Sequence, residues 1–351
     1  MALETHEAGN RRRARRKRQK QAQLLMCAVL FAVLLIGAAI CLVKGIRKIG
    51  SEPSGSSSAT VGTTTAAPTT TTTTYATLAA AELDAQMQCR GVLLYDATHD
   101  TVLYRLRASS SDIYYPASLT KLLTAAVACR YLPEDAVLTV GSELALTEWD
   151  ASMAYLSQGS TLTLPEVLDA LLLRSGADAA YCIAVNVARS LSADPLTDTE
   201  AVEAFVQLMN DTAKELGATH SYFVTPDGYH DLYHCTTAED LLKIALYADS
   251  FPLIHRCVGQ AESDGYTNTN ELLLPDSEHY YPYATGLKTG FTDEAGCCLA
   301  ASAEKDGVRL YAILLGGAES AGRFEDARLL FDRGFALAGV LTEPAAEGAA
   351  S

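Results

Sequence analysis

The chain has 351 residues, 49% apolar and 20% charged, which is enough to bury a core and excludes disorder along its whole length. Its net charge of −15 is uneven: residues 1–50 hold eleven Lys/Arg against two Glu, so the remaining 301 residues carry −24. A body this acidic lacks the basic footprint that nucleic-acid binding requires, so no nucleic acid is expected among its partners.

Residues 1–23 contain a basic block, Arg11, Arg12, Arg13, Arg15, Arg16, Lys17, Arg18 and Lys20. An uncharged, mostly apolar run follows over residues 24–43. Twenty residues in a helix span about 30 Å, the thickness of a hydrocarbon core, so the run is expected to be a transmembrane signal anchor. Lys44, Arg47 and Lys48 follow it closely, fewer charges than precede it. The positive-inside rule then puts the N-terminus in the cytoplasm and the remainder outside the cell membrane, in a single-pass arrangement. Residues 44–77 read as a linker: of residues 51–75, nineteen of 25 are Ser, Thr, Gly or Pro, ending in the threonine run 69–74. Residues 78–340 are expected to form one globular domain, and 341–351, rich in Ala and Glu, a frayed tail.

Within that domain, 91–95 and 102–106 are short β-type runs around the turn chemistry of Asp96-Ala97-Thr98-His99-Asp100. A helix is expected from near Ser118, after Pro116, with Leu119, Leu122, Leu123, Ala126 and Val127 on one face. Thr163 with Glu166, Thr197 with Glu200 and Thr236 with Glu239 each fit a capping box. They introduce helical patterns at about 165–174, 199–216 and 238–248. The Ala-rich run 177–190 reads as a central buried helix, 297–302 and 309–315 as strands, and 322–337 as a last helix. Strands at both ends with helices between suggest a sheet built from the two chain ends and a helical lobe from the middle. Seven scattered cysteines in this region form no C-x-x-C pair and read mostly as small buried apolar residues.

Three short motifs carry the chemistry. Ser118-Leu119-Thr120-Lys121 puts a hydroxyl and an amine one helical turn apart. A serine needs a base to become a nucleophile, and a neutral lysine can serve if burial and a second cation bring its pKa down from about 10.4. Taken alone the pattern is common, and an N-cap serine beside a surface lysine explains it more simply. Ser175-Gly176-Ala177 lies between two apolar helical runs and taken alone could be an interhelical turn. Lys288-Thr289-Gly290 offers a cation, a hydroxyl and a backbone open to close approach, a combination suited to a carboxylate. His230, Asp231, His234 and Cys235 offer metal-ligating atoms, but their loop-like segment argues against a site, and no metal is expected. Tyr280, Tyr281 and Tyr283 line a substrate cleft or cover the core, with the core favoured.

In this order the motifs resemble those of the serine penicillin-recognising enzymes. The wider sequence is similar to the D-alanyl-D-alanine carboxypeptidases among the low-molecular-mass penicillin-binding proteins. The likeness runs through residues 115–125, 171–180, Met209-Asn210, 216–219, 236–241, 268–270, 286–292 and 295–299. It covers essentially all of residues 85–338. It implies an α/β (α+β) fold: a three-layer β-lactamase/D,D-peptidase-like body with an antiparallel sheet flanked by helices, a helical lobe, and one transmembrane helix ahead of it.

The resemblance also implies roles. Ser118 attacks the carbonyl between two D-alanines of a peptidoglycan stem peptide, and Lys121 accepts its proton. Ser175 passes a proton to the departing D-alanine. Lys288 and Thr289 hold the terminal carboxylate, with Lys288 helping to depress the Lys121 pKa. Gly290 and Phe291 complete the binding strand, and the N–H groups of Ser118 and Phe291 form the oxyanion site. β-Lactams acylate Ser118 by mimicry, and no cofactor is needed. One position departs: the family usually carries Asn where this chain has Ala177, whose methyl bonds neither the lysine nor a substrate amide. Losing such contacts slows acylation by roughly three- to a hundred-fold. Two alternatives stay open, a β-lactamase and a catalytically silent protein that binds penicillin or stem peptides.

Overall fold

The computed structural model describes residues 80–341. The basic tail, the apolar run at 24–43, the linker at 44–77 and all but the first residue of the C-terminal tail lie outside the described residues. Among those described, no helix is long and apolar enough to cross a membrane.

Five antiparallel strands form the central sheet: β1 (Gly91–Asp96), β2 (Thr101–Leu106), β3 (Ala284–Thr292), β4 (Gly296–Lys305) and β5 (Val308–Gly317). Their order across the sheet is β2-β1-β5-β4-β3. The two chain ends therefore share one sheet, as their β-type runs suggest, and β1 pairs with β5 from Gly91↔Leu315 to Asp96↔Leu310. Alternation along the strands sorts the core into two layers. Leu93 points to one layer with Tyr311, Ile313 and Leu315. Val92 and Leu94 join Leu310, Ala312 and Leu314 in the other.

The second layer is closed by a long C-terminal helix, Ser320–Leu337, through Phe324, Leu330, Phe331 and Phe335. Tyr281 is buried in this layer and donates to Asp332 Oδ1 at 2.8 Å, so that ring serves the core. The first layer is covered by the helix at Ala238–Asp249, which packs on β5 and β1, and by Thr120–Tyr131 beside it. Helices at Leu164–Leu172, Ala177–Leu191 and Asp198–Glu215 stack behind these as a helical lobe.

The capping boxes at Thr163/Glu166 and Thr197/Glu200 are formed. The third is shifted by one residue: Thr237, not Thr236, caps the helix, and its Oγ1 accepts from Asp240 N at 3.1 Å. Thr236 is fully buried and shares a hydrogen bond with Ser221 Oγ at 2.8 Å, while Glu239 turns outward to pair with Arg105. Tertiary demand on Thr236 overrides the local pattern. A short helix at Pro252–Val258 and two-stranded pairings within 137–163 and 262–267 go beyond the elements that periodicity suggests.

Candidate active site

Ser118 sits in a single 3-10 turn, Ala117–Leu119, that runs directly into the helix beginning at Thr120. Ala117 has φ +48°, a left-handed conformation that costs a non-glycine residue about 1–3 kcal/mol, so surrounding packing must hold it. Two glycines supply that packing. Gly228 has φ +83°, and a Cβ there would lie 1.9 Å from Ala117 O. At Gly290 a Cβ would lie 3.1 Å from Pro116 O and 3.3 Å from Ser118 N. Bare backbone thus presses on the turn from two sides, one of them the edge strand β3.

Lys121 follows one turn later and is 2% exposed. Its Nζ donates to Ser118 Oγ at 3.0 Å and to Asp227 O at 2.7 Å. Burial lowers its pKa to about 8, against the opposing pull of the Asp227 and Asp178 carboxylates. Near neutral pH a usable fraction of the amine is therefore unprotonated, and that form can accept the hydroxyl proton across the same 3.0 Å contact.

The loop that supplies Asp227 O is itself anchored. Thr124 Oγ1 donates to Pro226 O at 2.5 Å. His234, 2% exposed, bridges Thr120 Oγ1 at 2.9 Å and Val224 N at 3.3 Å. Since Val224 N–H donates to Nδ1, the ring proton sits on Nε2 and donates to Thr120. Burial pushes the His234 pKa down to about 3, keeping the imidazole neutral. His234 is thus a buried hydrogen-bonding strut. Among the described residues no group of three or more His, Cys, Asp or Glu is placed to hold a metal ion.

Lys288 is 1% exposed on β3, and its Nζ donates to Thr289 O at 3.0 Å. Burial holds its pKa well below the usual lysine value, and the charges of Lys121 and Arg323 lower it further. That the Lys121 charge is felt at Lys288 brings the first and third motifs into electrostatic reach. Thr289 Oγ1 shares a hydrogen bond with Thr269 Oγ1 at 2.6 Å. Arg323 braces the strand from behind, donating to Gly290 O at 3.1 Å and Cys298 O at 3.3 Å. Phe291 is 58% exposed at the cleft.

Ser118, Lys121 and Phe291 line one cavity of about 300 Å³. The other walls are residues 150–152, 227–230 and 292–294. Ser175, Lys288, Thr289 and Gly290 are not among these walls; Ser175 is buried in the turn between two lobe helices at φ +63°, and the other three lie on β3 beside Phe291. Sequence reasoning missed the loop at 227–228 and the wall at 150–152. The Pro226-Asp227-Gly228 run is a turn signal that marks the first, but nothing local ties it to Lys121. Tyr229 OH donates to Asp150 Oδ1 at 3.0 Å, joining these two walls.

Comparison with known proteins gives the same direction. The D-alanyl-D-alanine carboxypeptidase family matches residues 76–319. The carboxypeptidase of Streptomyces sp. strain K15 is 30% identical over 281 residues, covering 74% of this chain and 89% of its own. DacF of Bacillus subtilis is 28% identical over 242 residues, 65% of this chain, and there the chain spans 57% of the relative's length. The crystal structure of the Streptomyces K15 DD-transpeptidase superposes with a TM-score of 0.63 at 28% identity, over 71% of this chain and 98% of that one. An ampicillin-bound penicillin-binding protein D2 from Listeria monocytogenes gives 0.59 at 26% identity over 71% of this chain and 98% of its own. With a shared sheet and helix arrangement and a match over most of its length, this chain belongs to the D-alanyl-D-alanine carboxypeptidase family.

Proposed function

We propose that the chain is a membrane-anchored serine-type carboxypeptidase that removes the terminal D-alanine from peptidoglycan stem peptides through an acyl-enzyme on Ser118. The observation that carries this reading is a buried lysine, lowered to about 8, with its Nζ 3.0 Å from a serine hydroxyl in a solvent-reaching cavity.

Lys121 takes the Ser118 proton as Oγ attacks the carbonyl between the two D-alanines. The negative oxygen that forms is held by the N–H groups of Ser118 and Phe291, a placement supported by the packing of Gly290 on Ser118 N. Lys288 and Thr289 take the terminal carboxylate. An arriving carboxylate stabilises the Lys288 ammonium, whose charge then disfavours a second one on Lys121. Substrate binding itself thereby prepares the base. Ser175, in the turn that opens the helix Ala177–Leu191, passes a proton to the departing D-alanine. Water then releases the acyl group, and β-lactams acylate the same oxygen. Residues 24–43 anchor the chain with its N-terminus in the cytoplasm, and residues 44–77 tether the domain outside a bacterial cell membrane.

The test is free D-alanine released from a pentapeptide ending in D-Ala-D-Ala by the full chain. Release that disappears in Ser118→Ala supports the reading. Acylation by penicillin without release points to a silent binder, and many turnovers of a chromogenic cephalosporin point to a β-lactamase.

A further inference from the structure

The two most exposed large apolar side chains among the described residues are Trp149, at 90%, and Tyr155, at 78%. Both belong to the loop whose residues 150–152 wall the catalytic cavity. We infer that Trp149, aided by Tyr155, is a platform on which a sugar ring of the glycan that carries the stem peptide stacks. This deepens the reading above and rests on it.

The loop keeps both rings in water at a cost. Tyr155 has φ +64°, a conformation that disfavours a bulky residue, so its surroundings must impose it. Asp178, fully buried, does so: its carboxylate accepts from Ala154 N at 2.9 Å and from Leu156 N at 2.8 Å, on either side of Tyr155. Ala151 N donates to Glu148 O at 3.2 Å, which closes a turn with Trp149 at its tip. Between these points Ser152 O accepts from Ala177 N at 2.7 Å, and Ser152 Oγ donates to Arg174 O at 3.1 Å. The backbone is thus fixed before a ligand arrives, and binding costs little loop ordering. Aromatic side chains held outward on a stitched loop beside a cavity belong to a contact surface.

The cavity indicates what the surface meets. Four extended residues span about 14 Å. That is longer than a compact cavity of about 300 Å³ is wide, so the sugar-bearing end of a stem peptide emerges at the rim. Trp149 adjoins Asp150 on that rim. A sugar ring offers an apolar C–H face to an aromatic ring and hydroxyl groups to nearby acceptors. Glu148 and Asp150 place a carboxyl group on each side of Trp149 in the chain. The same carboxyl groups disfavour a membrane surface, where anionic headgroups would repel them and acyl chains would desolvate them.

The test uses the full chain with two substrates, a pentapeptide ending in D-Ala-D-Ala and the same pentapeptide attached to its disaccharide. Wild type is expected to release D-alanine from the second with a kcat/KM about three- to tenfold higher, the scale of one stacked ring. Trp149→Ala removes that preference, and Trp149→Phe, which keeps a ring, retains part of it. Because Trp149 is the only tryptophan of the chain, its emission reports the same contact. In Ser118→Ala the disaccharide-linked peptide half-saturates the emission change at a concentration about three- to tenfold below that of the free peptide. Equal kcat/KM for the two substrates in wild type, or a preference that survives Trp149→Ala, overturns the assignment. Emission that responds to phospholipid vesicles and not to the disaccharide-linked peptide overturns it too. If wild type releases no D-alanine from either substrate, the carboxypeptidase reading fails while the emission titration still decides the role of Trp149.

Discussion

For individual side chains, the chemistry turns on taking an ammonium out of water. Lys121 has almost no contact with solvent and gains only partial compensation from Asp227 O and two carboxylates, so its charged form is disfavoured. The base works only when neutral. Acylation should therefore rise with pH through a midpoint of about 8 and level off above it. Below the midpoint it should fall about tenfold per pH unit. Stopped-flow rates with a fluorescent penicillin check this; a flat profile between about pH 6 and 9 would contradict Lys121 as the base. Ser118 and Lys121 were legible in the sequence because their spacing is local. The acceptor at Asp227 was not, because it lies 106 positions away and acts through a backbone carbonyl, which no side-chain pattern reveals.

Among the secondary-structure elements, the turn that carries Ser118 is held by what packs on it. Gly228 is the tighter contact: a methyl there has no room against Ala117 O, and its φ of +83° already disfavours any other residue. Gly228→Ala must displace the 223–228 loop and with it the oxygen that orients Lys121. We expect a loss of at least about 2 kcal/mol in stability and a fall in acylation of about tenfold or more. Thermal unfolding and penicillin labelling measure the two; a variant as stable and as fast as wild type would show that the loop does not position the lysine. Helices and strands were legible where periodicity was strong, as in the Ala-rich run that became Ala177–Leu191. The shifted cap at Thr237 was not, since only the burial of Thr236 against Ser221 decides between two adjacent threonines.

Taken as one body, the domain uses its sheet to bring residues from near both of its ends to one cleft. β3 is an edge strand, so its outer side is free to face the 3-10 turn and the cavity, while β4 and Arg323 support it from behind. This arrangement was legible only as a tendency, strands early and late with helices between, because pairing of β1 with β5 spans more than two hundred residues and leaves no local trace. Ser175 lies where the motif order predicts, in the turn between two lobe helices. The decisive measurement is to label membranes that contain the full chain with fluorescent penicillin and map the modified peptide by mass spectrometry. The predicted result is a single adduct on Ser118 in the membrane fraction, absent in Ser118→Ala; label that persists in that variant, or maps to another residue, would contradict it.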